Sequence, residues 1–295
     1  MANNRTVLML ARFTPDSTNI SQAKGFKRIG WETIEYDFTE RLKILGSSSK
    51  RDKEIIEVCQ TKKPKVVFVS KGAGISVNCI HRIKSISRTV LWYMDPLDDN
   101  WNQELKDKIN ACHLVCCGLF GVYKEARKIN PLCHFVHEGF DDESDFPHEL
   151  GQRWEASLIG QAKGKRAIYQ VAIGFKVIGG AYGTDHAIAV ARSKINLNFV
   201  VNNSGCSDRV YKILAAGGFL LSEDWPGREH DFVDGQDLVI FCGLNDLNRK
   251  IHFYLEHENK RMVIAGQGMK SVQRFTRVEF ARKIIALAES VEEVK

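Results

Sequence analysis

Short apolar runs alternate with longer amphipathic stretches along the whole chain. Val7 to Leu10 and Val66 to Ser70 are almost uninterrupted apolar runs, which predict strands buried on both faces. Ile20 to Ile29 instead has apolar residues at helical spacing and ends at Gly30, a common helix stop. Strands that alternate with helices are typical of parallel sheets covered by helices, so the pattern predicts an α/β architecture.

One segment, Gly139 to Gly151, departs from this pattern and has the composition of a linker. It contains Pro147 and acids at positions 141, 142, 143, 145 and 149. We therefore predict a first domain over residues 1–145 and a second domain over residues 146–276. The remaining segment, 277–295, begins with an amphipathic helix that we expect to pack back on the first domain. In two doubly wound domains of this kind, ligands bind near the carboxyl ends of the strands.

The composition places the chain among globular proteins. It has 295 residues, of which 44% are hydrophobic and 26% charged, and this excludes disordered, collagen-like and coiled-coil classes. The apolar runs are short, so we expect no membrane span and no signal peptide, and a cytoplasmic location. Eight cysteines without paired C-x-x-C spacing predict reduced, buried thiols rather than disulfides or a zinc site.

The net charge of +6 is unevenly distributed. Residues 1–90 contain 17 Lys and Arg against 8 Asp and Glu, whereas residues 91–145 contain 5 against 11. The basic first third fits either an anionic partner or ordinary solvated faces. Because its basic residues alternate with acids and form no long run, solvated faces are the favoured interpretation.

The most informative stretch runs from Ser193 to Glu223. Its pattern predicts a strand ending at Asn198, a polar loop through Ser204, a helix that begins near Asp208, and a small-residue turn into another strand. Helix N-termini favour phosphate oxygens, and the guanidinium fork of Arg209 matches two of them. The alternative for Arg209 is a surface arginine that pairs with Asp208.

At these residues the sequence resembles the spore-maturation CgeB-like glycosyltransferases. The family pattern is a strand of the type "skI.LN" followed by "R.fEi.AcGgFlL", and this chain has Ser193 to Asn198 and Arg209 to Leu221 in those places. Leu91 to Pro96, His137 to Asp141, Asp231 to Asp237 and the Tyr254-Leu255 helix end extend the resemblance over nearly the whole chain. It implies a GT-B-like fold, with two Rossmann-like doubly wound parallel-sheet domains that face a cleft.

The resemblance also implies the ligands. The second domain would hold a nucleotide-diphosphate sugar, most simply a UDP-sugar, and the first would hold the acceptor. Donor contacts are expected from the Gly160 to Arg166 loop, whose cations suit two phosphates or form a solvated turn. The full set of expected donor-binding residues is Lys163, Lys165, Arg166, Asn198, Ser204, Asp208, Arg209, Lys212, Gly217, Gly218 and Glu223.

One residue departs from the family pattern. Lys212 stands where the family usually has a glutamate, whose carboxylate can hold ribose hydroxyls of the donor. Three interpretations remain open at this point: Lys212 reaches a donor phosphate, Glu223 or Asp224 takes over the ribose contact, or the site has lost its activity.

Candidate residues in the first domain follow predicted strands. Asp95 comes just after the predicted strand Thr89 to Tyr93. It is our catalytic candidate, because an inverting sugar transfer needs a base. The alternative is that Asp95 only begins a turn before Pro96. Contacts with acceptor or sugar are expected from Lys71, Gly72, Gly74, Trp92, His137 and Glu138. For the glycine loop the alternative is a tight turn, and for His137 and Glu138 it is an ordinary interdomain polar pair.

We therefore predict a hexosyltransferase that acts on an acceptor hydroxyl. The acceptor could be a glycan, a protein, a small molecule or modified DNA. The chain lacks a D-x-D carboxylate pair, and cations with helix dipoles could hold the donor, so we predict metal independence and no further cofactor. Two alternatives are a DNA-modifying enzyme, with Trp92, Tyr93 or Trp101 filling the gap left by a flipped base, and an inactive sugar-nucleotide binder or structural protein.

Overall fold

The computed structural model describes residues 5–291, which form two compact units. The first unit comprises residues 5–137 together with 277–291, and the second comprises residues 138–276. Each unit contains one parallel sheet with apolar cores on its two faces. The predicted α/β class with two doubly wound parallel-sheet domains is confirmed.

The sheet of the first unit has the order β2-β1-β3-β4-β5-β6. Its strands are β1 (Thr6–Ala11), β2 (Glu32–Asp37), β3 (Val66–Ser70), β4 (Arg88–Tyr93), β5 (Leu114–Cys117) and β6 (Cys133–Phe135). Its helices are α1 (Asn19–Arg28), α2 (Phe38–Leu45), α3 (Ser48–Lys62), α4 (Val77–Lys84), α5 (Gln103–Ala111), α6 (Phe120–Ile129) and, from the end of the chain, α12 (Arg277–Ser290). The central strand β3 is buried along its whole length, as its apolar run predicts.

The last helix, α12, packs on the first unit. The ring of Phe280 lies 6.2 Å from that of Phe68 on β3 and 4.9 Å from that of Trp92 on β4. Gly25 of α1 allows α12 to approach closely, since a Cβ atom there would lie 2.3 Å from the carbonyl oxygen of Arg277. Residues 292–295 of the segment that was expected to pack here lie outside the described part.

The sheet of the second unit has the order β11-β10-β9-β7-β8, again all parallel. Its strands are β7 (Trp154–Ile159), β8 (Lys176–Ile178), β9 (Ser193–Asn198), β10 (Leu220–Glu223) and β11 (Val239–Phe241). Its helices are α7 (Lys165–Ile173), α8 (Thr184–Ala191), α9 (Asp208–Ala215), α10 (Gly243–Glu256) and α11 (Glu258–Val272), with 3₁₀ turns at Arg228–His230 and Gln273–Phe275.

The second unit begins earlier than the linker composition predicts. Phe140 is buried, and its amide donates to the carbonyl oxygen of Phe275 at 3.0 Å. Asp141 and Asp145 form a closed turn, because the carboxylate of Asp145 accepts the amide of Asp141 at 2.9 Å. Residues 138–145, which the sequence assigns to the first domain, therefore belong to the second unit.

Two sequence expectations concern membranes and cysteines. Within residues 5–291, no helix is both long and apolar enough to cross a membrane. The cysteines of the described chain are free thiols, and all are buried except Cys242. Cys242 is exposed and lies between the end of β11 and the start of α10.

Gly217 and Gly218 lie at the amino end of β10. A Cβ atom at Gly218 would lie 2.5 Å from Cγ1 of Val190 and 2.9 Å from Nδ2 of Asn196. Gly217 has a φ of +74°, a left-handed conformation that favours glycine. Close packing against Val190 of α8 and Asn196 of β9 therefore accounts for Gly218, and the backbone conformation accounts for Gly217.

Gly218→Ala is expected to lower the free energy of unfolding by about 1–3 kcal/mol, since the new methyl group overpacks this junction. Gly266→Ala is the matched control. Gly266 lies inside α11 with no atom within 4 Å of its would-be Cβ, so alanine should raise stability by up to about 1 kcal/mol. Denaturant unfolding of both variants checks the prediction, and an unchanged stability of Gly218→Ala would contradict it.

Candidate active site

The carboxyl ends of β7 and β9 form the switch point of the second sheet. The chain runs from β7 outward to β8 and then returns to β9 on the other side of β7, so the crossovers diverge there. A crevice at such a point is the usual ligand site of open α/β sheets. Three predicted donor residues, Arg166, Asn198 and Arg209, meet at this point.

Arg209, on the first turn of α9, joins the ends of the two strands. Its Nε donates to the carbonyl oxygen of Ile159 at 2.7 Å, and its Nη1 donates to Oδ1 of Asn198 at 3.1 Å. Gly160 makes room for the guanidinium, because a Cβ atom there would lie 3.0 Å from Nη2. The φ of Gly160, +136°, independently favours glycine.

Arg166 reaches the same strand ends from the first turn of α7. Its Nη2 donates to the carbonyl oxygen of Phe199, the residue after β9, at 3.1 Å. Burial lowers the pKa of both Arg166 and Arg209, and for Arg209 the neighbouring Arg166 lowers it further. An arginine nevertheless stays charged in proteins, so two positive charges lie close together at the switch point.

The hydrogen-bond acceptors of both guanidinium groups are uncharged. Arg209 donates to a strand carbonyl, an amide oxygen and, at 3.4 Å, the hydroxyl of Ser207, while Arg166 donates only to backbone carbonyls. Within the described chain neither arginine forms an ion pair. Asp208 pairs with Lys212 at 2.5 Å, and its negative charge also raises the pKa of the neighbouring Arg209.

The carboxylates near the arginines are held by lysines instead. Nζ of Lys165 lies 2.6 Å from Oε1 of Glu223, at the end of β10, and Nζ of Lys212 lies 2.5 Å from Oδ2 of Asp208. Glu223 also accepts the amide of Val200 at 2.9 Å. The cluster formed by Lys165, Arg166, Arg209, Lys212, Asp208 and Glu223 therefore has four cations against two carboxylates.

His186, at the start of α8, is a neighbour of this cluster that the sequence reasoning missed. It is buried, and its Nδ1 has no hydrogen-bond partner within residues 5–291. Burial, and next the charge of Lys212, lower the pKa of His186 to about 3. The imidazole is therefore neutral at ordinary pH. The sequence around His186, a helix start after a glycine-rich turn, has no pattern that predicts a buried histidine.

The structure places the remaining predicted donor residues in two groups. Lys163 is exposed in the loop after β7, and Ser204 is buried in the loop before α9, where its hydroxyl donates to the carbonyl oxygen of Asn202 at 3.3 Å. Gly217 and Gly218 are not brought to the switch point. They stand before β10, whereas the arginines lie beyond the carboxyl ends of the strands, so the expected donor contact is replaced by helix packing.

In the first unit, Lys71 and Asp95 come together at the carboxyl ends of β3 and β4. Nζ of Lys71 lies 2.6 Å from Oδ1 of Asp95. Buried Arg51 donates to the carbonyl oxygen of Gly74 at 2.5 Å, and buried Lys108 donates to that of Gly72 at 2.9 Å. Both of these cations also pair with a carboxylate, Asp52 and Glu104 respectively. Gly72 and Gly74 have positive φ, so the loop is a fixed turn.

Trp92, by contrast, cannot contact an acceptor as predicted. It is fully buried and packs against Phe280 of α12, because the side chains of the central strand β4 lie inside the core on both faces of the sheet. This also removes Trp92 from the aromatic residues proposed to fill a gap in DNA. His137 is half-buried beside Phe135, and Glu138 is buried at the start of the second unit.

Among residues 5–291, no group of three or more His, Cys, Asp or Glu side chains is arranged to bind a metal ion.

Comparison with known families identifies the second half of the chain. Residues 148–286 match the family model described as "Glycosyl transferase-like". This segment, which lies almost wholly in the second unit, is therefore similar to glycosyltransferases. No curated protein matches the sequence significantly.

Solved structures extend the structural likeness to both units. HepE from Anabaena in complex with UDP-glucose is 12% identical, with a TM-score of 0.71 over 97% of this chain and 99% of its own. A glycosyltransferase from Rickettsia africae is 10% identical, with a TM-score of 0.69 over 98% and 99%. Sucrose-phosphate synthase from Thermosynechococcus elongatus is 9% identical, with a TM-score of 0.67 over 97% and 98%. The fold is that of GT-B glycosyltransferases, and the predicted enzyme class is confirmed.

The neutral state of His186 predicts a pH dependence of stability. The unfolded chain takes up a proton near the ordinary histidine pKa of 6.5, whereas folded His186 does so only near 3. Stability from this residue is therefore full above pH 6.5 and is lost as the pH falls towards 3. Between pH 7 and pH 5 the loss should be about 2 kcal/mol.

Denaturant unfolding at pH 7 and pH 5 measures that loss. His186→Gln should remove this part of the pH dependence, while His252→Gln, at an exposed position on α10, should keep it. Equal pH dependence in the wild type and His186→Gln would contradict the prediction.

Proposed function

We propose that this protein transfers a hexose from a nucleotide-diphosphate sugar, most simply a UDP-sugar, to an acceptor hydroxyl, as a CgeB-like glycosyltransferase. The observation that carries the proposal is the pair Arg166 and Arg209, whose acceptors at the switch point are all uncharged. A ligand with two adjacent negative groups would neutralise the positive charges of these two side chains.

The net positive charge of the cluster favours a diphosphate ligand. Buried charges in proteins are normally paired, and a half-buried pair of arginines without a carboxylate is costly unless an anion binds. The cluster of four cations and two carboxylates has two positive charges in excess. The diphosphate of a nucleotide sugar carries one negative charge on each phosphate, so the two would balance.

The buried cations of the first unit differ from those of the switch point. Arg51 and Lys108 are also buried cations that donate to loop carbonyls, but each has a carboxylate partner, Asp52 or Glu104. Those two cations need no ligand. The guanidinium groups of Arg166 and Arg209 donate no recorded hydrogen bond to a carboxylate. Glu223 and Asp208 act on them through charge but are paired with Lys165 and Lys212, so each of these carboxylates is shared between two cations.

The solved structure of HepE supports the choice of donor. That protein is similar over 97% of this chain and was solved with UDP-glucose. We propose a nucleotide-sugar donor for this chain as well, because it has the same fold and its second unit places cations at the switch point.

The chemistry follows from the placement of charge. In the transfer, the bond between the anomeric carbon and the diphosphate oxygen breaks, a bond to the acceptor oxygen forms, and the acceptor loses its proton. Arg166 and Arg209 would stabilise the charge that grows on the leaving diphosphate. Asp95 remains our candidate base for an inverting transfer, and Lys71 fixes its carboxylate through their ion pair.

Lys212 has a different role from the family glutamate. Its ammonium is engaged by Asp208, one helical turn earlier, so we propose that it neutralises that carboxylate and does not bind a phosphate. The positive charge that binds the diphosphate would therefore come from Arg166 and Arg209.

Transfer should not require a divalent metal, since protein cations neutralise the leaving group. Donor hydrolysis in excess chelator is expected to stay within about twofold of the untreated rate. A large loss that added Mg²⁺ or Mn²⁺ restores would overturn metal independence.

The donor site is tested by nucleotide binding. Arg209→Met and Arg166→Met should each weaken UDP binding about 10- to 100-fold, because a charged hydrogen bond contributes about 1.5–3 kcal/mol. Lys194→Met removes the same charge at the amino end of β9 and should leave UDP binding unchanged. Calorimetric titration measures all three.

Three outcomes are informative. If the wild type binds no nucleoside diphosphate, the proposed function is contradicted. If Arg209→Met and Arg166→Met both bind UDP as tightly as the wild type does, the assigned site is contradicted. Donor binding without turnover against a broad acceptor panel would favour the inactive sugar-nucleotide binder.

A further inference from the structure

Asn198 is the last residue of β9 and is almost fully buried. Its Oδ1 accepts Nη1 of Arg209 at 3.1 Å, and its Nδ2 donates to Oγ of Ser222, on β10, at 2.9 Å. Both ends of its amide are thus engaged by protein groups. Asn198 therefore stands behind Arg209 rather than in the crevice, where the sequence reasoning expected a direct donor contact.

The direction of each hydrogen bond fixes how the amide is turned. A guanidinium only donates, so it requires the amide oxygen of Asn198 on its side. The hydroxyl of Ser222 donates to the carbonyl oxygen of Glu223 at 2.7 Å, and it therefore accepts from the amide nitrogen. The two ends agree, so the chain of Ser222, Asn198 and Arg209 has one consistent arrangement.

The charge of the acceptor matters as much as its position. A carboxylate of the same shape at position 198 would also hold Arg209, but it would form an ion pair and consume the positive charge. An amide fixes the guanidinium and leaves its charge uncompensated. The nearby carboxylates, Asp208 and Glu223, are paired with Lys212 and Lys165, so Asp208 acts on Arg209 only as a charge that it shares with Lys212.

We propose that Asn198 is a positioning residue that aims the guanidinium of Arg209 at the switch point while reserving its charge for the donor diphosphate. This inference rests on the proposed function. It assigns to Ser222 the task of holding the amide in the required orientation. It also implies that stability and ligand binding oppose each other at position 198.

Asn198→Asp separates this role from a purely structural one. The new carboxylate would compensate the charge of Arg209 in the free protein, so the midpoint of thermal unfolding should not fall. UDP must then compete with that carboxylate, and its affinity should fall about 10-fold or more. Binding of uridine, which lacks phosphates, should be unchanged.

The experiment titrates the wild type, Asn198→Asp and Asn248→Asp with UDP and with uridine. Asn248 is exposed on α10, so the control adds the same charge without touching Arg209. Equal UDP affinity in the wild type and Asn198→Asp would overturn the inference, and so would equal losses of UDP and uridine binding. If the wild type binds no UDP, the proposed function fails instead.

Ser222→Ala tests the same series of hydrogen bonds from the Ser222 end. It keeps the inference falsifiable if Asn198→Asp does not fold. Without the hydroxyl, the amide of Asn198 loses the partner that orients it, and UDP affinity should fall about 3- to 10-fold with uridine binding unchanged. Unaltered UDP affinity in folded Ser222→Ala would contradict the assigned role of Ser222.

Discussion

The guanidinium of Arg209 links the carboxyl ends of β7 and β9 through hydrogen bonds, and the proposed donor site of the second unit depends on this link. One side chain holds the backbone of β7 and the amide of Asn198 on β9. Gly160 is required beside it, because any Cβ atom would crowd the guanidinium. The fold brings Arg166 and Arg209 together with neutral hydrogen-bond acceptors, and we propose that a bound diphosphate supplies the balancing negative charge.

The two edges of the second sheet are divided between function and packing. Cations and polar loops gather beyond the carboxyl ends of the strands, at the point where the crossovers diverge. At the amino edge, Gly218 lets Val190 of α8 and Ile213 of α9 pack closely beside the start of β10. The first unit uses buried cations differently, since Arg51 and Lys108 fix a loop and are themselves neutralised.

Much of the fold and part of the site could be predicted from the sequence, because parallel strands with uninterrupted apolar runs are easily recognised. Arg166, Arg209 and Glu223 all follow predicted strand ends, which converge in a parallel sheet. Helix α2 escaped notice, since only Phe38 of its residues is buried and it begins at once after β2, capped by Asp37. Helix α7 has no fully buried residue and so lacks a clear apolar pattern.

Other features depend on tertiary contacts that no local pattern encodes. Lys212 engages Asp208, His186 is buried neutral beneath the cations, and Trp92 is covered by a helix from the far end of the chain. The sequence also could not distinguish an amide that meets the ligand from one that holds the arginine, as Asn198 does.

A crystal structure of the protein with UDP would test the central claim most directly. The account predicts that the diphosphate lies at the carboxyl ends of β7 and β9, with its oxygens within hydrogen-bond distance of Arg166 and Arg209 and with Asn198 still bonded to Arg209. A diphosphate bound elsewhere, with both arginines left on their neutral acceptors alone, would contradict it.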